Sequence, residues 1–143
     1  MINEFHTKSV EETEAVGKKL ALSLNKEKPH FIAMYGDLGV GKTAFVRGLA
    51  SVLAPSARVK SPTYTVVNRY DSAPMPLYHL DVYRIEDEDE LYSIGFDDYI
   101  NTGICVVEWS ENIPDSIPCD AIRVSIEKEG ENFESRKITI EVR

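Results

Sequence analysis

The stretch "HFIAMYGDLGVGKTAFVRGLASVL", residues 30 to 53, decides the fold. It opens with "HFIAMYG", a short apolar run closed by a glycine, which reads as a buried strand. It ends with "TAFVRGLASVL", where Phe45, Val46, Leu49, Val52 and Leu53 fall on or near one face of a helix that Pro55 stops. Between them "GDLGVGKT", residues 36 to 43, fits G-x-x-x-x-G-K-[ST]. The glycines let the loop turn so that successive backbone N–H groups face one anion. The helix behind it adds its positive N-terminal end. In such a loop the lysine, here Lys42, reaches the β- and γ-phosphates, and the hydroxyl, here Thr43, ligates Mg²⁺. A glycine-rich loop that merely joins strand to helix leaves Lys-Thr at this position unexplained.

A phosphate loop needs a carboxylate to help hold the metal, from the end of a neighbouring apolar strand. "ICVVEW" is a nearly unbroken apolar run suited to a strand covered on both faces, and it offers Glu108 at its end. A solvated strand end is the plainer reading of that acid. Trp109 beside it reads as core or interface packing, with base stacking as the alternative. "LYHLDVYR", residues 77 to 84, reads as another strand, with Leu80 and Val82 on one face and His79, Asp81 and Tyr83 on the other. If it lies beside the strand that precedes the phosphate loop, Asp81 faces the phosphates, where it can order an attacking water or share in the metal's water shell. His79 and Tyr83 would then fix its orientation by hydrogen bonds, or else be satisfied polar groups at a sheet edge. Arg84 would approach the phosphates or pair with an acid. "KSPTYT", residues 60 to 65, places Ser61 and Thr63 around Pro62. That segment is either a loop that reaches a γ-phosphate and changes shape on hydrolysis, or a plain proline-stiffened turn.

The remaining elements complete an α/β pattern. "SVEETEAVGKKLALSL" opens with Ser9 and Glu12 in capping-box spacing and continues at helical spacing, with Gly17 a weak point. "TYTVVNRY" reads as a strand, "DSAPMP" as a turn, and "LYHLDVYR" as its antiparallel return. "EDEDELYSIG" is a helix with acids in its first turn. The tail, "AIRVSIEKEGENFESRKITIEVR", holds two alternating segments around a polar turn, a hairpin or two neighbouring strands. The expected fold is an α/β, P-loop NTPase-like three-layer sandwich with a mixed β-sheet.

The chain has 143 residues, which suits one domain over 1–143 with a core that needs no disulfide or metal staple. Cys105 lies in an apolar run and reads as a core residue; with Cys119 it forms neither zinc spacing nor a disulfide framework. The net charge of −8 argues against broad contact with a nucleic-acid backbone. No apolar run approaches membrane-spanning length and the N-terminus lacks a cationic apolar signal segment, so a cytoplasmic location away from membranes is expected.

Taken in order, "GDLGVGKT", "SPTYT", "HLDVYR" and "VEWSE" resemble the bacterial TsaE (YjeE) family, small P-loop ATPases of tRNA threonylcarbamoyladenosine biosynthesis. The resemblance runs from "SVEET" to "SRKITI" and implies binding and slow hydrolysis of ATP with Mg²⁺. It also implies work with the TsaD and TsaB proteins, which modify adenosine 37 of tRNAs reading codons that start with A, so that tRNA is met only through the complex. By the same resemblance Gly36, Asp37, Leu38, Gly39, Val40, Gly41, Lys42 and Thr43 form the nucleotide loop. Thr43 and Glu108 match the magnesium positions, Asp81 matches the catalytic aspartate, and Val10 and Phe133 match nucleotide contacts, with Arg136 a further candidate.

Rival readings are a small-molecule or nucleotide kinase, a GTPase, and a nucleotide-gated assembly module. The kinase lacks an arginine-rich lid segment. The GTPase lacks N-K-x-D, since the only Asn-Lys pair, "NKEK" at residues 25 to 28, precedes the loop and has no aspartate. The assembly module shades into the family reading.

Overall fold

In the computed structural model, which describes residues 1–37, 39–63 and 65–142, the apolar run before the glycine loop is strand β2 (His30–Tyr35). Strand β1 (Ile2–Thr7) and helix α1 (Val10–Leu22) precede it, and helix α2 (Lys42–Leu53) follows. Strands β3 (Val67–Tyr70) and β4 (Leu77–Asp81) pair antiparallel. Short helices α3 (Glu88–Ser93) and α4 (Phe96–Thr102) lead into β5 (Ile104–Glu108). Two single 3₁₀ turns, Ser110–Asn112 and Pro114–Ser116, precede the hairpin of β6 (Ile122–Lys128) and β7 (Arg136–Glu141).

The strands form one mixed seven-stranded sheet in the order β1-β7-β6-β2-β5-β4-β3. β4, β5, β2 and β6 run parallel, and the outer strands antiparallel. The expected adjacency of β4 and β2 is corrected here, because β5 lies between them. The fully buried run of β5 explains the swap: all five of its residues are covered, which suits a central strand. The β3 segment is also shorter than "TYTVVNRY" suggested, starting at Val67. Val66 has φ of 68°, a conformation a β-branched residue seldom adopts, and that kink keeps it out of the ladder.

Each sheet face carries a core. On one, Val16, Leu20, Phe45 and Leu49 of α1 and α2 cover Ile32, Met34, Val106 and Ile138. On the other, Leu91, Phe96 and Ile113 cover Phe31, Leu80 and Val107. Complete burial of a side chain such as Phe45 or Leu49 contributes roughly 2 kcal/mol. Cys105 belongs to this second core, and burial pushes its thiol pKa up to about 12.

Helix α1 starts at Ser9, whose Oγ accepts the Glu12 N–H at 3.1 Å. Gly17 is no weak point: a Cβ there would sit 2.2 Å from the Phe45 carbonyl oxygen, and one on Gly48 would sit 2.0 Å from that of Glu14. The two glycines allow α1 and α2 to touch backbone to backbone, which fixes where α2 presents its first turn. No helix among the described residues is long and apolar enough to cross a membrane.

Candidate functional site

Parallel strands β2, β4 and β5 end on one edge of the sheet, where open α/β sheets bind ligands. The loop after β2 carries Lys42 and Thr43 into the start of α2. Asp81 ends β4, Glu108 ends β5, and the two stand opposite each other in the ladder. Lys42, Thr43, Asp81 and Glu108 line one cavity of about 420 Å³, with Gly39, Gly41 and Trp109. Ser61 and Thr63 reach its wall, their hydroxyls 2.6 Å apart. Val10, Phe133 and Arg136 line it as well.

Gly36, Asp37 and Val40 face a neighbouring cavity beside Ile126, Glu127 and Lys128. The Val40 side chain is buried in the core. Leu38 lies outside the described residues.

The Lys42 ammonium donates to the Gly36 carbonyl at 2.8 Å and sits 4.0 Å from the centroid of the Trp109 ring. Burial draws its pKa below the usual lysine value, and the charges of Glu108, Glu111, Asp81 and Asp37 oppose that. Trp109 is half-buried, packing against the second core on one side and lining the cavity on the other, and Tyr83 packs on it with centroids 4.7 Å apart. Its φ of 63° turns the chain sharply out of β5.

His79 is completely buried, not placed at a solvated edge, and its Nε2 meets Glu108 Oε2 at 2.5 Å. The expectation that His79 orients Asp81 is therefore corrected. Since a carboxylate only accepts, Nε2 carries the hydrogen. Nδ1 is buried without a hydrogen-bond partner among the described residues. Asp81 is held by main chain: its Oδ1 accepts the Tyr83 N–H at 2.9 Å, and its own N–H donates to the Val66 carbonyl at 2.8 Å. Tyr83 lies past the end of β4, and its side chain is exposed.

Two charged cavity residues escaped the sequence reading. Arg47 lies one helical turn beyond Thr43 and pairs with Glu14 at 2.9 Å, so helical periodicity from Thr43 could have found it. Glu134 accepts the Val10 N–H at 3.0 Å across 124 residues, and no local signal announces that.

Thr43 and Glu108 offer hard oxygen donors that suit Mg²⁺. Glu108 lines the cavity and gives one of its two oxygens, Oε2, to His79. Among the described residues no three His, Cys, Asp or Glu side chains form a metal cage, so a cation here would depend on phosphate and water oxygens too.

A family model described as "Threonylcarbamoyl adenosine biosynthesis protein TsaE" matches residues 7–138. The chain belongs to the TsaE family. It is 38% identical to the tRNA threonylcarbamoyladenosine biosynthesis protein TsaE of Bacillus subtilis over 95% of this chain and 83% of that one. It is 44% identical to the Haemophilus influenzae protein of the same name over 78% of this chain and 73% of that one. The crystal structure of Bacillus subtilis YdiB superposes with a TM-score of 0.80 at 31% identity, covering 99% of this chain and 86% of that one. The TsaE fold of this chain is P-loop NTPase-like, as its sheet order and loop position indicate.

Proposed function

We propose that this protein binds Mg²⁺-ATP, hydrolyses it slowly, and through that cycle supports the cytoplasmic TsaD–TsaB complex in forming threonylcarbamoyladenosine at position 37 of tRNAs reading codons that start with A. The observation that carries the reading is the convergence of Lys42, Thr43, Asp81 and Glu108 on one cavity. The tRNA modification role rests on family membership and on the names of its relatives.

In this reading Lys42 leaves the Trp109 face to meet the β- and γ-phosphates, and the amides of the loop and of the first turn of α2 receive their oxygens. Thr43 Oγ1 and Glu108 would hold Mg²⁺, which when bound neutralises charge on those phosphates. Asp81, held by main-chain bonds at the end of β4, orients the attacking water and accepts its proton. Val10 and Phe133, exposed at the cavity's mouth, flank the base. With a net charge of −8 the protein acts on tRNA through its partners.

Reconstitution tests this. The protein is combined with TsaD, TsaB, the threonylcarbamoyl donor and tRNA, with and without ATP, and modified tRNA is counted per enzyme. Many turnovers only with ATP and this protein support the proposal. Equal yields without either refute it.

A further inference from the structure

Arg136, the first residue of β7, reads from the sequence as a nucleotide contact, but its guanidinium is committed elsewhere. Nε donates to the Val40 carbonyl at 2.7 Å and Nη2 to that of Gly39 at 3.3 Å. Nη1 donates to the carbonyls of Phe133 and Ser135, each at 2.8 Å. The residue is 8% exposed. One fork thus gathers two carbonyls of the phosphate loop and two of the β6–β7 loop.

We propose that Arg136 is a positioning residue that sets the direction of the amides in the phosphate loop and ties that loop to the cavity's mouth. This rests on reading the site as one for phosphates. A peptide unit is planar and trans, so its C=O and N–H point opposite ways. Holding the Gly39 and Val40 carbonyls therefore turns the N–H groups of Val40 and Gly41 away from the guanidinium. The loop's own backbone does not enforce this. Gly39 and Gly41 have φ of 76° and 102°, and a Cβ on either would meet nothing nearer than 3.9 Å. Glycines with that freedom let the peptide planes beside them rotate at little cost. At the two peptides between Gly39 and Gly41, Val40, anchored by its buried side chain, and the Arg136 fork resist it. On the carbonyl side the guanidinium also polarises both peptides and strengthens their N–H groups as donors.

The test compares Arg136→Gln, which loses charge and fork, with Arg136→Lys, which keeps a charge but cannot hold the carbonyls as a fork. Amide hydrogen exchange over residues 36–43 is followed in the ligand-free proteins, and calorimetry measures affinity for Mg²⁺-ATP and for inorganic tripolyphosphate, which has no base. A cooperative melt establishes folding. Faster exchange in both variants is expected, with affinity for both probes down roughly tenfold or more, the lysine form lying nearer to glutamine than to wild type. Wild-type exchange and affinity in Arg136→Gln overturn the proposal. Full recovery in Arg136→Lys also overturns it, since charge alone then suffices. Should Arg136→Gln not fold, Arg136→Lys decides by the same two readouts. If wild-type protein binds neither probe, the phosphate reading fails, and the exchange comparison still decides whether Arg136 sets the loop.

Discussion

Glu108 shows how much one side chain depends on another that is distant in the chain. It is buried, meets His79 at one oxygen, and faces the cavity beside Asp81. Removing either metal-directed oxygen, in Thr43→Ala or Glu108→Ala, should weaken Mg²⁺-ATP binding or turnover at least tenfold while the smaller effect falls on nucleotide without metal. Titrating Mg²⁺ against hydrolysis checks this, and an unchanged magnesium dependence in both variants would remove them from the site. Asp81→Ala should keep ATP affinity within a few-fold yet lose roughly a hundredfold or more in hydrolysis, because a water-orienting base acts in the transition state and hardly in binding. Single-turnover kinetics beside equilibrium binding separates the two effects. The sequence reading named Lys42 and Thr43 from a fixed motif, Glu108 from the end of an apolar run, and Asp81 from strand alternation and an assumed place beside β2. It missed the role of His79, because a bond across 29 residues leaves no trace in local periodicity.

At the scale of elements, the contact between α1 and α2 rests on absent side chains. Gly48→Ala would drive a methyl into the Glu14 carbonyl at 2.0 Å, and Gly17→Ala into that of Phe45 at 2.2 Å. Both neighbours are backbone, so neither can rotate aside. The gain in helix propensity of about 1 kcal/mol should be outweighed, leaving each variant less stable by roughly 2 kcal/mol in a denaturant melt. An unchanged midpoint would mean that the helices are free to separate. Propensity alone marks Gly17 as a defect; only the partner helix gives it a purpose. The strand segments were legible where one face or both were strongly apolar, as in β2 and β5. Edge strand β1, mostly exposed and polar, was not.

Across the whole molecule, one edge of the sheet is tied to a loop by an ion pair. β1 is an edge strand, and His6 on it pairs with Glu129 of the β6–β7 loop at 2.7 Å. Glu129 chiefly, and Glu4 to a lesser degree, hold the His6 pKa above its ordinary value. A raised value in the folded protein gives stability that is fully present below about pH 6.5, the pKa of a free histidine, and is lost as pH rises through the folded value. The melting-temperature difference between wild type and His6→Gln should therefore be largest in mild acid and shrink above neutrality. A difference that does not change with pH would assign the contact to packing.

By itself the sequence determined the strand–loop–helix with its glycine-rich turn, the polar side chains that come to line the cavity, and the alternation of apolar segments that makes an α/β sheet. These follow from contacts a few residues apart, where spacing and chemistry coincide. Tertiary structure alone decided that β5 stands between β4 and β2, that His79 serves Glu108 and not Asp81, and that Arg136 grips loop carbonyls. Strand order and cross-chain hydrogen bonds are settled by which buried faces and polar groups can be satisfied together, and that competition involves the folded chain as a whole.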